Sequence, residues 1–185
     1  MSDDAPRGVV AAAGYDELVD DDARWITIEG RRWRRSDPAI PPTLRQELVD
    51  ELMAARRAVA AEHRSGDAAG VRRARDRVHA AKLALGERGA PWWEQPNDDD
   101  LRRRVAATID VLARHRAPDR TICPSDAARV VGGPGWRRHM DLVRDVAADM
   151  ADDHRVEITQ RGRPVPGRTW RGPVRIRSRA PADDE

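Results

Sequence analysis

The chain has little of what usually builds or braces a large protein core. Among its 185 residues there are one cysteine, one tyrosine and no phenylalanine. Valine, isoleucine and leucine together supply only 32 residues. The single cysteine, Cys123, excludes an internal disulfide and is typical of a reducing compartment. Such a composition predicts compact units with thin cores, filled largely by alanine and by the six tryptophans.

Long apolar runs are also missing. No stretch approaches the roughly 20 apolar residues that span a bilayer. The first residues do not show the basic and then apolar pattern of a secretory signal. We therefore expect a cytoplasmic protein without membrane contact.

The residues that carry chemistry are too scattered to predict a catalytic or metal site. No two of the five histidines are four residues apart, and none neighbours Cys123 in sequence. Gly132-Gly133-Pro134-Gly135 lacks the Lys-Ser/Thr pair of a phosphate loop, so a turn between helices explains it better. We interpret Cys123 as a small core residue rather than a redox thiol. The sequence predicts no enzyme and no cofactor.

Positive charge is plentiful, and its placement is uneven. The basic residues are 33 arginines and one lysine, Lys82, which fits either phosphate recognition or a GC-rich genome. Residues 1–100 carry 16 basic and 20 acidic side chains, whereas residues 101–185 carry 18 and 12. Residues 154–180 alone hold eight arginines and one acid. This asymmetry indicates a basic face in the C-terminal half.

The N-terminal half predicts a small β-ribbon beside two helices. Residues 1–23 are acidic and without clear periodicity, so we expect a disordered tail. Within 24–94, Trp25–Ile28 and Arg31–Arg34 form a hairpin around Glu29-Gly30, because the glycine allows a positive φ in the turn. Helices follow from Thr43 to about His63 and from Val71 to Leu85, separated by Ser65-Gly66-Asp67. The Trp92-Trp93 pair is either a stacking platform or, as we favour, an apolar cap on the helical hairpin.

The C-terminal half has the element order of a winged helix-turn-helix. Residues 95–100 are polar and acidic and predict a linker. Helices are expected at Leu101–His115, at Asp126–Val131 with Ser125 as N-cap, and at Trp136–Asp153, with an extended Thr121–Cys123 between the first two. Alternating residues 155–160 and 174–177 predict two strands, joined by a wing from Arg161 to Arg171. Residues 180–185 are expected to be a disordered tail. The predicted fold class is mainly α with small β.

Four segments of this half carry a resemblance. They are Thr121 to Ser125, Trp136 with Arg144, Ile158 to Gly162, and Arg171 to Ile176. Residues 101–179 resemble an uncharacterised bacterial family, the domain of unknown function 3253 family. The resemblance implies a winged-helix-like fold and, by analogy, nucleic-acid binding. The N-terminal half, through Gly30 to Arg34, Asp37-Pro38 and Pro91 to Trp93, resembles an actinobacterial module of unknown role.

These observations predict a non-catalytic protein whose winged helix binds double-stranded DNA. The candidate contacts are Arg137, Arg138, Arg144, Arg161, Arg163, Arg168 and Arg171. The third helix also carries outward acids, Asp141, Asp145, Asp149 and Asp152, which repel phosphate. The alternative is therefore a module that binds a protein partner, and the sequence leaves the oligomeric state open.

Each half has its own apolar periodicity. This pattern predicts that residues 101–179 fold alone, and that Trp136→Ala unfolds them because a buried tryptophan is lost.

Overall fold

The structure is a computed structural model that describes residues 21–166, 168 and 170–179. The tail predicted at 180–185 lies outside the described residues, as do residues 1–20 of the predicted acidic tail. Residues 21–23 of that predicted tail are described, and they form a helical turn, α1 (Asp21–Arg24). The described chain is mainly helical with two small antiparallel sheets, which confirms the predicted fold class.

The N-terminal ribbon forms as the sequence predicts. Strands β1 (Trp25–Ile28) and β2 (Arg31–Arg34) pair antiparallel, with Ile26 opposite Trp33. Glu29 and Gly30 have φ values of 49° and 74°, the left-handed pair that a two-residue hairpin turn needs. Opposite residues share a face, so Ile26, Ile28 and Trp33 lie on one side of the ribbon.

Two antiparallel helices follow the ribbon. They are α2 (Pro42–Ser65), which begins with a proline, and α3 (Ala68–Ala84). Gly66, with φ 78°, ends α2, and the carboxylate of Asp67 accepts the amide hydrogen of Ala69 to cap α3.

Trp93 packs against the N-terminal ribbon. Its ring is only 9% exposed and meets the rings of Trp25 and Trp92 edge to face, at centroid distances of 5.6 and 5.0 Å. The ring of Trp93 is therefore not an open stacking platform, and it packs on the ribbon rather than on the helical hairpin that the sequence predicts.

The C-terminal half begins with a helix that is longer than predicted. Helix α4 spans Asp98–Arg116, so residues 98–100 of the predicted linker form its first turn. The side chain of Asn97 caps this helix by accepting the amide hydrogen of Asp100, at 2.8 Å. Three aspartates in the first turn face the positive end of the helix dipole, which explains the early start.

The next helices differ from the prediction in how they start. Helix α5 is Pro124–Gly132 with Cys123, not Ser125, at the N-cap position; Asp126 accepts the amide hydrogen of Cys123 at 3.1 Å. Cys123 is half-buried rather than part of the fully buried core. A 3-10 segment, Gly133–His139, then precedes α6 (Met140–Asp152). Trp136 therefore lies in the 3-10 segment and not in the third helix.

A three-stranded sheet closes the chain, in the order β4-β3-β5. Its strands are β3 (Val156–Gln160), β4 (Arg163–Pro164) and β5 (Arg175–Ser178). The sequence predicted only β3 and β5, and the short strand β4 was not predicted. Ile122 forms an isolated bridge to Ile176, which confirms the extended segment before α5.

One buried apolar cluster joins the two halves. It combines Leu44, Leu48 and Leu85 of the first half with side chains of the second, among them Val105, Ile109, Leu112, Ile122, Val143, Val156, Ile158 and Ile176. Helix α4 packs against α2, α3, α5 and α6. The halves therefore do not have the separate cores that their periodicities predict. None of the described helices is both long and apolar enough to cross a membrane.

Candidate nucleic-acid interface

The wing is the segment that connects β3 to β5, residues 161–174. It leaves β3 through a tight turn in which Arg161 and Gly162 have φ values of 52° and 78°. This turn allows β4 to fold back along β3, so that Gln160 lies opposite Arg163. Arg161 and Arg163 are thus fixed at the turn, at the exposed end of the sheet.

Three of the four predicted wing arginines have no side-chain partner among the described residues. Arg161, Arg163 and Arg171 are exposed. The backbone at Arg171 is nevertheless held, because Gln160 donates from its amide to the Arg171 carbonyl at 2.6 Å and to the Pro173 carbonyl at 3.2 Å. Among the described residues, the wing therefore presents unpaired guanidinium groups at Arg161, Arg163 and Arg171, where the backbone is held by the sheet.

The fourth wing arginine, Arg168, is turned to the acidic face of α6. Its guanidinium lies 2.9 Å from Asp145 and 3.3 Å from Asp152, and it also pairs with Asp149. The hydrogen bond from Arg168 is the main cause that lowers the pKa of Asp149. Arg168 is thus neutralised within the chain.

Arg144, on α6, fastens the wing to the helix. Its guanidinium stacks on the ring of Trp170 at 4.2 Å and donates to the carbonyls of Trp170 and Gly172, at 3.2 and 3.4 Å. The stack lets the planar cation bind the ring face while its edge binds carbonyl oxygens. This predicted contact residue has a structural role in positioning the wing.

Arg137 and Arg138 lie in the 3-10 segment that precedes α6. Arg137 stacks on Trp136 at 4.6 Å, and Arg129 of α5 stacks on the same ring at 5.1 Å. Arg138 donates to His139, and burial together with the charge of Arg138 lowers the pKa of that histidine. The segment is therefore a second basic surface, and it includes Arg129, which the sequence did not predict as a contact residue. Arg129 is seven residues before Trp136 and on another helix, so only the packing of α5 brings the two together.

In the described part of the chain, the sheet adds one exposed arginine without a side-chain partner next to the wing. Arg175 and Arg177 alternate with the buried Ile176 and are both exposed, as predicted. Arg177 pairs with Glu157 on the neighbouring strand, whereas Arg175 has no side-chain partner among the described residues. Together with Arg161, Arg163 and Arg171 it makes four arginines of the wing and its sheet that are unpaired within the described ranges.

The outer face of α6 has the opposite character. Asp145, Asp149 and Asp152 lie on this face with side chains 41–56% exposed. Arg102 of α4 also binds Asp145 and Asp149, at 2.8 and 2.6 Å. This surface combines three carboxylates with two guanidinium groups, so its net charge is negative. A polyanion is therefore repelled by the middle of α6 and attracted by the wing.

The 3-10 segment is held against the N-terminal half. Gly133 has φ 48°, and a Cβ placed there would be 2.9 Å from the Cβ of Ala39. Arg116 crosses the same boundary, because it binds Glu47 of α2 at 2.9 Å and Asp126 of α5 at 2.7 Å. The basic surfaces therefore sit on a scaffold that includes both halves of the chain.

Comparison with known proteins identifies one matching segment. No curated protein matches the chain. Residues 102–179 match the model of a family described as "Protein of unknown function (DUF3253)", which confirms the resemblance stated from the sequence. The C-terminal part of this chain is thus similar to that family from the first turns of α4 to the end of β5.

Proposed function

We propose that residues 98–179 form a winged helix that binds double-stranded DNA through its phosphate backbone. The element order supports this proposal: helix, short extended segment, helix, helix and then a small sheet with a wing. The observation that carries it is the contrast between the wing, with Arg161, Arg163 and Arg171 unpaired among the described residues, and the acidic outer face of α6.

The proposed contacts follow from this contrast. The three free wing arginines make the main phosphate contacts, and Arg137 and Arg138 of the 3-10 segment add to them. Arg144 holds the wing instead, because its guanidinium group is bonded to wing carbonyls, and Arg168 is paired with α6 in the free chain. Backbone contacts dominate in this arrangement, so little preference for base sequence is expected.

Titration of the full chain with a duplex at several salt concentrations tests the proposal. Three neutralised phosphates give a log-log salt slope of about −2.7, and five give about −4.5, at roughly −0.9 for each phosphate. The double variant Arg163→Glu/Arg171→Glu should abolish binding at moderate salt. Arg177→Glu is the matched control, because Arg177 is an exposed arginine of the same sheet that already has an acidic partner. No binding at low salt, or binding that the double variant leaves unchanged, would remove the proposal.

A second candidate is a protein-interaction role of the N-terminal ribbon. The large apolar side chains that are exposed in the described chain, Ile26, Ile28 and Trp33, all lie on one face of the ribbon, with exposed fractions of 38%, 52% and 43%. Arg31 lies on the same face, exposed and without a side-chain partner among the described residues. We propose that this face binds a protein segment with apolar side chains and a carboxylate for Arg31.

Crosslinked co-purification compares the wild type with Ile28→Asp. Loss of a co-purified protein in the variant, and retention of that protein at high salt in the wild type, support the interaction role. A protein that stays monomeric and retains only nucleic acid contradicts it. Thr27→Asp is the control, because Thr27 is on the opposite face of the same strand.

A further inference from the structure

The acidic face of α6 has a regular spacing. Asp145, Asp149 and Asp152 are separated by four and three residues, so their carboxylates lie along one side of the helix. Asp141 is one turn earlier on that side and exposed, and it has no ion pair among the described residues. Four acids in a row thus point away from the core of a domain whose wing is basic.

Arg168 connects this acidic face to the wing. It is the wing arginine that binds all three paired aspartates, and two of its contacts are 2.9 and 3.3 Å long. About half of its side chain is exposed, at 49%. Water and salt screen exposed ion pairs strongly, so these bonds are exchangeable. The same guanidinium group is a suitable partner for phosphate, which presents oxygens in a comparable geometry.

The acidic face therefore presents to Arg168 what a DNA backbone would present: a row of negatively charged oxygens. At Asp149 the charge is reinforced, because hydrogen bonds from Arg168 and then from Arg102 lower the pKa of this carboxyl. Arg102, from α4, binds Asp145 and Asp149 independently of the wing. The helix side of the contact thus stays in place if the wing arginine leaves.

We propose that Asp145, Asp149 and Asp152 are an internal competitor of DNA for Arg168, so that α6 restrains binding by the wing. This inference rests on the proposed function and describes its regulation. In the free protein, Arg168 is bonded to the aspartates; when the wing binds a duplex, Arg168 exchanges the carboxylates for a phosphate. The exchange lowers the affinity and adds one phosphate contact to the complex.

Removal of one competing carboxylate should raise the affinity for DNA. We expect Asp149→Asn to tighten binding of a 20-base-pair duplex about threefold or more, the scale of coupling usual for residues in contact. The salt slope should not flatten, since Arg168 then contributes its own ion release. Asp141→Asn is the matched control: it removes the same charge from the same face, but no bond to Arg168.

Arg168→Ala completes the test as a double-mutant cycle. In this background, the advantage of Asp149→Asn over Asp141→Asn should fall to the part that comes from releasing Arg102, which binds Asp149 independently of the wing. Equal effects of the two substitutions in the presence of Arg168 would overturn the competitor proposal while leaving DNA binding intact. Failure of the wild type and of every variant to bind at low salt would overturn the proposed function, and the competitor with it. Circular dichroism of each variant checks that these surface substitutions leave the fold unchanged.

Discussion

Arginine serves three physical purposes in this chain, and the count of arginines does not separate them. Arg163 is exposed and unpaired among the described residues, as a phosphate contact requires. Arg144 stacks on Trp170 and fixes backbone carbonyls. Arg116 is enclosed by Glu47 and Asp126, with only 13% of its side chain exposed. Residues of one type therefore differ in function according to what surrounds each guanidinium group.

Arg116 provides a test of the role that a buried, paired arginine has in stability. Burial alone disfavours its charge, but the hydrogen bonds to Glu47 and Asp126 outweigh burial and raise the pKa of Arg116. Arg116→Met would leave two carboxylates, each 14–16% exposed, without their cation. We expect a loss of roughly 3 kcal/mol in the free energy of unfolding, since removing one partner of a buried ion pair costs on the order of 3–5 kcal/mol.

Urea denaturation measures this loss. Arg103→Met is the matched control: Arg103 is on the same helix and pairs with Asp100, but 65% of its side chain is exposed. Such an exposed pair contributes at most about 1 kcal/mol. Equal stabilities of the two variants would contradict the assigned role of Arg116.

At the scale of elements, local signals predicted the fold well where they were complete. The β1–β2 turn follows from Glu29-Gly30, and the helices α2 and α3 follow from apolar spacing and from the break at Gly66. The start of α4 was missed by three residues, because an acidic run resembles a linker as much as a helix N-terminus. The pairing of Arg168 with α6 was also missed, since it depends on a contact between segments distant in sequence.

The 3-10 segment before α6 was not predicted, and its cause is tertiary. His139 packs over Gly132 so closely that a Cβ there would be 2.5 Å from the imidazole Cδ2. Gly133 is turned to φ 48° and ψ −130° and lies against Ala39. Side chains of ordinary residues neither fit these spaces nor adopt this backbone conformation. Gly132 and Gly133 thus interrupt the helix after α5 and allow close packing against the N-terminal half.

Gly133→Ala tests this account of the turn. We expect a destabilisation of more than about 2 kcal/mol, because the strained φ and ψ cost about 1–3 kcal/mol and the contact with Ala39 adds to it. Gly162→Ala is the control, since Gly162 also has a positive φ but nothing lies within 4 Å of its Cβ position. Thermal unfolding followed by circular dichroism measures both. If Gly162→Ala destabilises the protein as much as Gly133→Ala, the positive φ alone explains the loss and the contact with Ala39 adds nothing.

At the scale of the whole molecule, α4 is the central helix. Its buried residues, Val105, Ala107, Thr108, Ile109, Val111, Leu112 and Ala113, lie on more than one side of the helix. A helix with one apolar stripe covers a core, whereas a helix buried on several sides lies inside one. The apolar spacing of Leu101, Val105, Ile109 and Leu112 alone predicts a single buried face for this helix. The other buried positions are mostly small residues, whose burial is hard to foresee.

Trp136 contributes less to the buried core than the sequence predicts. The sequence predicts a buried tryptophan whose replacement by alanine unfolds the domain. The ring is only half-buried, and it packs at the border of the cluster between Arg129 and Arg137. The residues that carry the core are instead fully buried aliphatic side chains such as Ile109 and Leu112.

The shared core predicts that the C-terminal half is unstable alone. Residues 95–185 lack α2 and α3, so the side of α4 that packs on them becomes exposed, and Arg104 and Arg116 lose Asp37 and Glu47. Exposing two or three fully buried aliphatic side chains costs about 1.5–3 kcal/mol each, a large part of the 5–15 kcal/mol typical of a whole domain. Circular dichroism of this fragment should therefore show less helix and a broader, lower thermal transition than the full chain. Adding residues 21–94 as a separate polypeptide should restore part of both. A fragment that unfolds cooperatively at the temperature of the full chain would show that the C-terminal half has a sufficient core of its own, as its apolar periodicity alone predicts.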